Sequence, residues 1–147
     1  MFHLFATSND PGLLIARLVL AAIFLPHGLQ KTVGWFGGYG WAGTMGFFTG
    51  PLGIPKPLGA LAIATENLAP VALALGLVGR VAALGIIGIM VVAAYTVHRE
   101  HGFFMNWSGQ QKGEGYEYHL LAIGLALVVL IGGSGPWSID QIIAAAL

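Results

Sequence analysis

Four apolar runs constrain this chain more than anything else in it. They cover about residues 12–30, 57–79, 81–98 and 118–133. The second, PLGALAIATENLAPVALALGLVG, is 23 residues long, and an α-helix of that length rises enough to cross a bilayer core of about 30 Å. Inside hydrocarbon every backbone N–H and C=O must find its partner within the protein, which leaves helices or closed barrels. Runs of this length are too long for barrel strands. The fold class is therefore all-α, an integral membrane four-helix bundle forming a single domain over residues 1–147. Composition agrees: 56% of residues are hydrophobic, 8% are charged and the mean hydropathy is +0.81, against a usual charged quarter.

The second run carries Glu66 and Asn67 in its middle and Pro70 four residues after the acid. Glu66 lies about 13 Å into the run at 1.5 Å per residue. An ionised carboxylate there costs on the order of 2.5–3.5 kcal/mol on insertion scales, so it must face protein or water. Proline cannot donate the helix bond to the Glu66 carbonyl, which frees a second polar group at the same depth. Two readings stand. Glu66 belongs to a polar site inside the bundle, or it is structural, as an ion pair with Arg17 or as a protonated, hydrogen-bonded acid. Arg17, near the start of the first run, can also snorkel toward the nearer interface.

The connections are unequal. Asn9-Asp10-Pro11 reads as the start of the first helix, and Pro26-His27-Gly28 loosens its far end. Lys31–Lys56 then holds eight glycines and six aromatics (Trp35, Phe36, Tyr39, Trp41, Phe47, Phe48). It is too apolar for a solvated loop and too glycine-rich for another span. Aromatic rings favour the headgroup level, so this segment is expected as an interfacial loop over the bundle mouth with one short helix near Trp41–Phe48. Gly79-Arg80 forms the whole turn between the second and third runs, giving a tight hairpin. Arg99–Tyr118 is polar in its middle and aromatic at both ends. Gly-Ser-Gly-Pro ends the fourth run, and Ser138 caps a short surface helix. The first dozen residues lack a basic n-region, so no signal peptide is expected.

Four spans place both long loops on one face and the Gly79-Arg80 turn with both termini on the other. His27, Lys31, Tyr95, His98, Glu117 and His119 gather on the long-loop side, with Glu66 within reach. A site is expected at that mouth. Its candidate catalytic groups are Glu66, His27, Glu117 and His119, since a carboxylate beside an imidazole suits proton exchange. Its candidate substrate-binding residues are Lys31, Trp41, Phe47, Phe48, Tyr95, Asn106, Trp107 and Tyr118. Tyr95 and His98, three apart, share a helix face. The histidines have no metal-ligand spacing, and local hydrogen bonding is their plainer role; no metal site is assigned. The absence of cysteine excludes disulfides, thiol redox chemistry and Cys-ligated iron–sulfur clusters. Six basic and six acidic residues leave no basic surface for nucleic acid. No nucleotide loop, Ser-His-Asp order or zincin motif is present. The distribution of Lys and Arg favours the long loops in the cytoplasm.

The order HGLQK, GWFGGYGWAGTMGFF, LGIPKPLG, an acid in the second run, GR, TVHREHGFFMNW and YEYHLL resembles the DoxX family of small four-helix membrane proteins, over about residues 12–140. The resemblance rests on His27, Lys31, Gly43, Phe47, Phe48, Glu66, Arg80, Phe103, Asn106, Trp107 and Tyr118. It implies a four-helix membrane bundle of oxidoreductase-like character, with a related branch associated with thiosulfate:quinone oxidoreductases. On that basis the expected function is a redox-associated subunit of the bacterial inner membrane binding a quinone or a small sulfur substrate. Quinone is the cofactor the chemistry accommodates, and haem is the weaker choice. The alternatives are an accessory or scaffold subunit of a larger membrane complex and a small-molecule or lipid carrier. The expected partners are the bilayer, other membrane redox subunits or further copies of the chain.

The topology is directly testable because the chain has no cysteine of its own. Single cysteines at Asn9 and Leu147 should react with an impermeant reagent from one side of the membrane, and one at Gln110 from the other. Opposite sidedness of Asn9 and Leu147 would overturn the four-span arrangement.

Overall fold

The computed structural model describes residues 4–147, so the very start of the stretch read against a signal peptide lies outside the described residues. All regular structure among them is helical. Helix α1 spans Pro11–Thr32, α2 Gly40–Thr49, α3 Lys56–Leu75, α4 Gly79–Ala93, α5 Glu117–Gly132 and α6 Ile139–Ala146. Helices α1, α3 and α4, the last with the turns that extend it to His101, are long and apolar enough to cross a membrane; α5 is apolar but shorter. In the Lys31–Lys56 segment a 3₁₀ turn at Trp35–Gly37 precedes α2, and no long helix forms.

Helix α1 packs on α3 and α5, α4 packs on the same two, and α2 lies across α1 and α3. Asp10 caps α1 by accepting from the Gly12 amide at 2.8 Å. The helix then runs unbroken through Pro26-His27-Gly28 to Thr32, where a loosened end was expected. Gly28 explains this: a Cβ at that position would collide with the Glu66 carbonyl. The two backbones touch there, and the contact supports the helix across its proline.

The inside is built of small apolar and polar groups, the outside of large apolar ones. Ala16, Ala83, Ala122 and Ala126 are buried alongside Leu20, Phe24, Leu73 and Ile86. Arg17, Glu66, His119, Ser134 and Asp140 are buried too. Meanwhile Ile15, Leu61, Leu121 and Ile131 are each more than 60% exposed. In a water-soluble fold that pattern would be inverted.

At the end away from the long loops, two charges close the helix termini. Arg17 is 1% exposed and does not snorkel. Its Nη1 donates to the carbonyls of Leu73 and Ala74 at 2.8 and 2.6 Å, and its Nη2 to those of Trp137 and Pro136 at 2.9 and 3.3 Å. The expected ion pair between Arg17 and Glu66 is therefore absent. The helices are antiparallel with Gly28 opposite Glu66, so Arg17, eleven residues earlier on α1, meets the last turn of α3 instead. That turn presents carbonyls without helical donors and the negative end of the helix dipole. Gly76 (φ 64°) ends α3 with Leu77 N–H returning to Ala72 O at 2.9 Å, a Schellman closure. The α3–α4 connection is thus Gly76–Val78, and Gly79-Arg80 belongs to the first turn of α4 rather than forming the turn alone.

Asp140 completes this end. Its carboxylate accepts from the amides of Val78 (2.7 Å) and Gly79 (3.0 Å), the free donors at the start of α4, and from Ser134 Oγ at 2.5 Å. Ser138 caps α6, accepting from the Gln141 amide as expected; Asp140 is buried in its first turn, while Ile142 and Leu147 are exposed. Arg80 performs for α5 what Arg17 does for α3, donating to Leu130 O, to Ile131 O and to Ala6 O.

Arg17→Met should lower the unfolding free energy by about 3 kcal/mol or more, because several buried carbonyls lose their donor at about 1–3 kcal/mol each. Arg17→Lys should recover only part, since one ammonium cannot fork across two strands of carbonyls. Denaturant titration of the detergent-purified variants measures both; a silent Arg17→Met would refute the capping role.

Candidate functional site

The long-loop end is arranged differently. The antiparallel register that separates Arg17 from Glu66 brings Lys31, one turn past Gly28 on α1, to the Glu66 carboxylate, and the two form an ion pair. Glu66 is 5% exposed and Lys31 28%, so the pair runs from the interior outward. Asn67 faces α1: its amide donates to Ile63 O at 2.8 Å and Gly28 O at 3.3 Å, and it accepts from Thr32 Oγ1 at 3.4 Å. The adjacent Glu-Asn pair thus divides its labour. Asn67 locks α1 to α3, and Glu66 carries charge toward the space between the helices.

Across that space α4 does not end as an α-helix. Residues Ala94–His98 form a π turn, followed by a 3₁₀ turn at Arg99–His101. The wider turn breaks the spacing expected to align Tyr95 with His98. Tyr95 is 63% exposed with the Arg99 guanidinium 4.1 Å over its ring. His98 turns inward, where its ring centre lies 4.2 Å from that of His119. His98 Nδ1 donates to Glu114 O at 2.8 Å; a carbonyl only accepts, so Nδ1 carries the proton. π turns of this kind are frequent at functional sites.

Helix α5 supplies the last wall. Tyr118 packs against Phe24, with ring centres 6.5 Å apart. Its hydroxyl is buried without a hydrogen-bond partner among the described residues, and so is Nδ1 of the buried His119. These groups enclose a cavity of about 320 Å³, within the range of small-molecule sites. Five of the sequence candidates meet in it: His27, Lys31, Glu66, Tyr118 and His119. Phe24, Met90 and Met105 give it apolar walls. A charged pair, imidazoles and a phenol among apolar side chains can donate hydrogen bonds to a ligand and exchange protons with it.

The other candidates lie elsewhere. Glu117 is not a cavity group; its Oε1 accepts from Met105 N at 2.9 Å and Trp107 Nε1 at 3.2 Å, tying the second long loop to α5. Asn106 is bound to the backbone of Gln111 through both ends of its amide, and the Trp107 ring is 87% exposed. Trp41, half exposed, begins α2. Phe47 and Phe48 line a second cavity, of about 600 Å³, between α2 and the end of α1. Lys31 lines both cavities. Phe24, Met90 and Met105 were not among the candidates. As apolar residues in apolar or aromatic runs they carry no signal; only Phe24 shares a helical stripe with Gly28 and Lys31.

The DoxX family model matches residues 12–99 of the chain. A protein of Haemophilus influenzae (strain ATCC 51907 / DSM 11121 / KW20 / Rd), described as uncharacterized, is 29% identical over 134 residues, covering 90% of this chain and 83% of its own. No solved structure matches.

Lys31→Met leaves the Glu66 carboxylate buried without its cation and should destabilise the protein by about 3 kcal/mol. Lys31→Met with Glu66→Leu should recover most of that, whereas Arg17→Met with Glu66→Leu should recover nothing. Thermal melts of the three variants in one detergent separate the pairs; rescue by the Arg17 combination would overturn the assignment.

Proposed function

This chain belongs to the DoxX family, and from that premise we propose that it is a four-helix integral protein of the bacterial inner membrane that binds a quinone or a small sulfur compound in its loop-end cavity. The whole of residues 1–147 forms one domain in this reading. Large aliphatic side chains cover the outer helix faces while arginine, glutamate and histidine are buried, the distribution of a protein whose solvent is lipid. Helix α5 rises about 24 Å at 1.5 Å per residue, short of the hydrocarbon core, with Tyr116 and Tyr118 at headgroup level.

The observation that carries the functional reading is the cavity itself. Buried polar groups normally find partners within the protein, yet the Tyr118 hydroxyl and His119 Nδ1 are buried without one, beside a charged pair. A quinone ring fits this donor set. Tyr118, His119 and the Lys31 ammonium offer hydrogen bonds to carbonyl oxygens, and Phe24 and Met90 offer apolar contact to the ring. A bound quinone supplies the redox chemistry, taking up two electrons and two protons. Glu66 and His119 are the groups that hold and pass protons. The chain has no cysteine, so electrons come from a substrate or from another membrane redox subunit, in the manner of a thiosulfate:quinone oxidoreductase. A small sulfur oxyanion would instead use the charge of Lys31. A second reading, an accessory subunit packed on a larger complex or on further copies of itself, draws on Gly88 and Gly124, where a side chain would meet only open space and another helix can approach closely.

Glu66→Gln tests the site. The amide keeps the shape and removes the titratable charge, and Lys31, being part-exposed, can turn to water, so the fold should survive. Mass spectrometry of extracts from gently purified protein should show a quinone or sulfur compound with the wild type and at least tenfold less with Glu66→Gln, equivalent to about 1.4 kcal/mol. Extracts no richer in either class than those of an unrelated membrane protein would sink the reading.

A further inference from the structure

No carboxylate or imidazole lines the second cavity, yet it is the larger of the two, at about 600 Å³ against 320 Å³. It lies against α2, which packs on α1 and α3, and it adjoins the first site at one residue: Lys31 lines both. Its walls are Tyr39, Phe47 and Phe48 with the bare backbone of Gly37 and Gly43. Two of the polar groups that reach it are already engaged. The Gln30 amide donates to Phe36 O at 3.2 Å and its oxygen accepts from His27 Nδ1 at 3.1 Å, while the Lys31 ammonium is paired with Glu66. Beyond the Thr44 and Tyr39 hydroxyls, what the walls mainly offer is contact to aliphatic chain. Tyr39 is 86% and Phe47 44% exposed, so the cavity is open at its rim.

We propose that this cavity holds the apolar tail of an amphiphile whose hydrogen-bonding head occupies the loop-end cavity, with Lys31 at the junction. The inference rests on reading the loop-end cavity as a ligand site, and it narrows the ligand class: a lipid-soluble molecule with a ring head and a hydrocarbon tail, in preference to a small sulfur oxyanion.

The test uses the full chain in lipid nanodiscs and two probes with the same benzoquinone ring, coenzyme Q stripped of its tail and the same ring carrying a decyl chain. Each variant is compared with wild type for each probe, which cancels partition of the decyl probe into lipid. Thr44, 6% exposed on the cavity wall, is the position to fill. Thr44→Phe should weaken the decyl probe at least tenfold and leave the tailless ring within twofold of wild type. Tyr39→Ala, which removes an exposed wall ring without adding bulk, should weaken the decyl probe at least threefold and spare the tailless ring. If Thr44→Phe loses both probes it has disturbed the head site, and Tyr39→Ala decides alone. Variants that bind the decyl probe as the wild type does, with the tailless ring still bound, overturn the tail site and leave the loop-end site standing. A wild type that binds neither probe overturns the quinone reading of the loop-end cavity, and the tail site with it.

Discussion

Gly28 lies against the Glu66 carbonyl so closely that no side chain fits between them, and the rest of the structure depends on that approach. Pro70 makes the carbonyl available by withholding its own N–H, and Asn67 pins the neighbouring turn of α1 through Gly28 O. Once this point of contact is fixed, antiparallel geometry dictates the rest. One turn along α1 in one direction, Lys31 meets the Glu66 carboxylate. Three turns in the other direction, Arg17 meets the final carbonyls of α3. Two cations on one helix therefore have entirely different partners.

The two ends of the molecule follow opposite rules. At the short-loop end, buried charge is spent on backbone: Arg17 and Arg80 on helix C-termini, Asp140 on the start of α4. A charged donor at the C-terminal carbonyls and a carboxylate at the N-terminal amides both agree with the helix dipole, and of the Arg17 guanidinium only Nε is left without a partner among the described residues. At the long-loop end the charges meet one another instead, and buried polar atoms are left over. Departures from local satisfaction of this kind concentrate where a protein does chemistry.

Much of this was legible in the residues. The apolar runs marked the helices to within a few positions, because the hydrophobic requirement of a long helix is redundant over many residues. The clustering of His27, Lys31, Tyr118 and His119 followed from counting spans, since each falls near the long-loop end of its helix, with Glu66 deeper but within reach of that end. Arg17 stood among the open readings for Glu66 and Lys31 did not, because a sequence does not show which charges are level; that depends on a helix offset of eleven residues, set by glycine packing. Tyr95 was placed with His98 because a period of 3.6 was assumed through a segment that adopts a π turn. Glu117 and Asn106 were read as site groups, yet their polar atoms hold the second long loop together. Loop-supporting and ligand-facing polar residues look alike until the loop's own amides are placed.

The arginine–aspartate closure also has a consequence in time. Arg17 bonds to carbonyls 56 and 57 residues onward and again 119 and 120 residues onward, and the amides that begin α4 wait for Asp140, about 60 residues later. A chain made from its N-terminus must therefore hold α1, α3 and α4 in place with the guanidinium only half engaged and the α4 terminus open. The short-loop end locks when residues 134–141 emerge. Until then α3 is held to α1 by the Gly28 contact, the Asn67 bonds and the Lys31–Glu66 pair, and closure of the other end waits for the most distant segment in sequence.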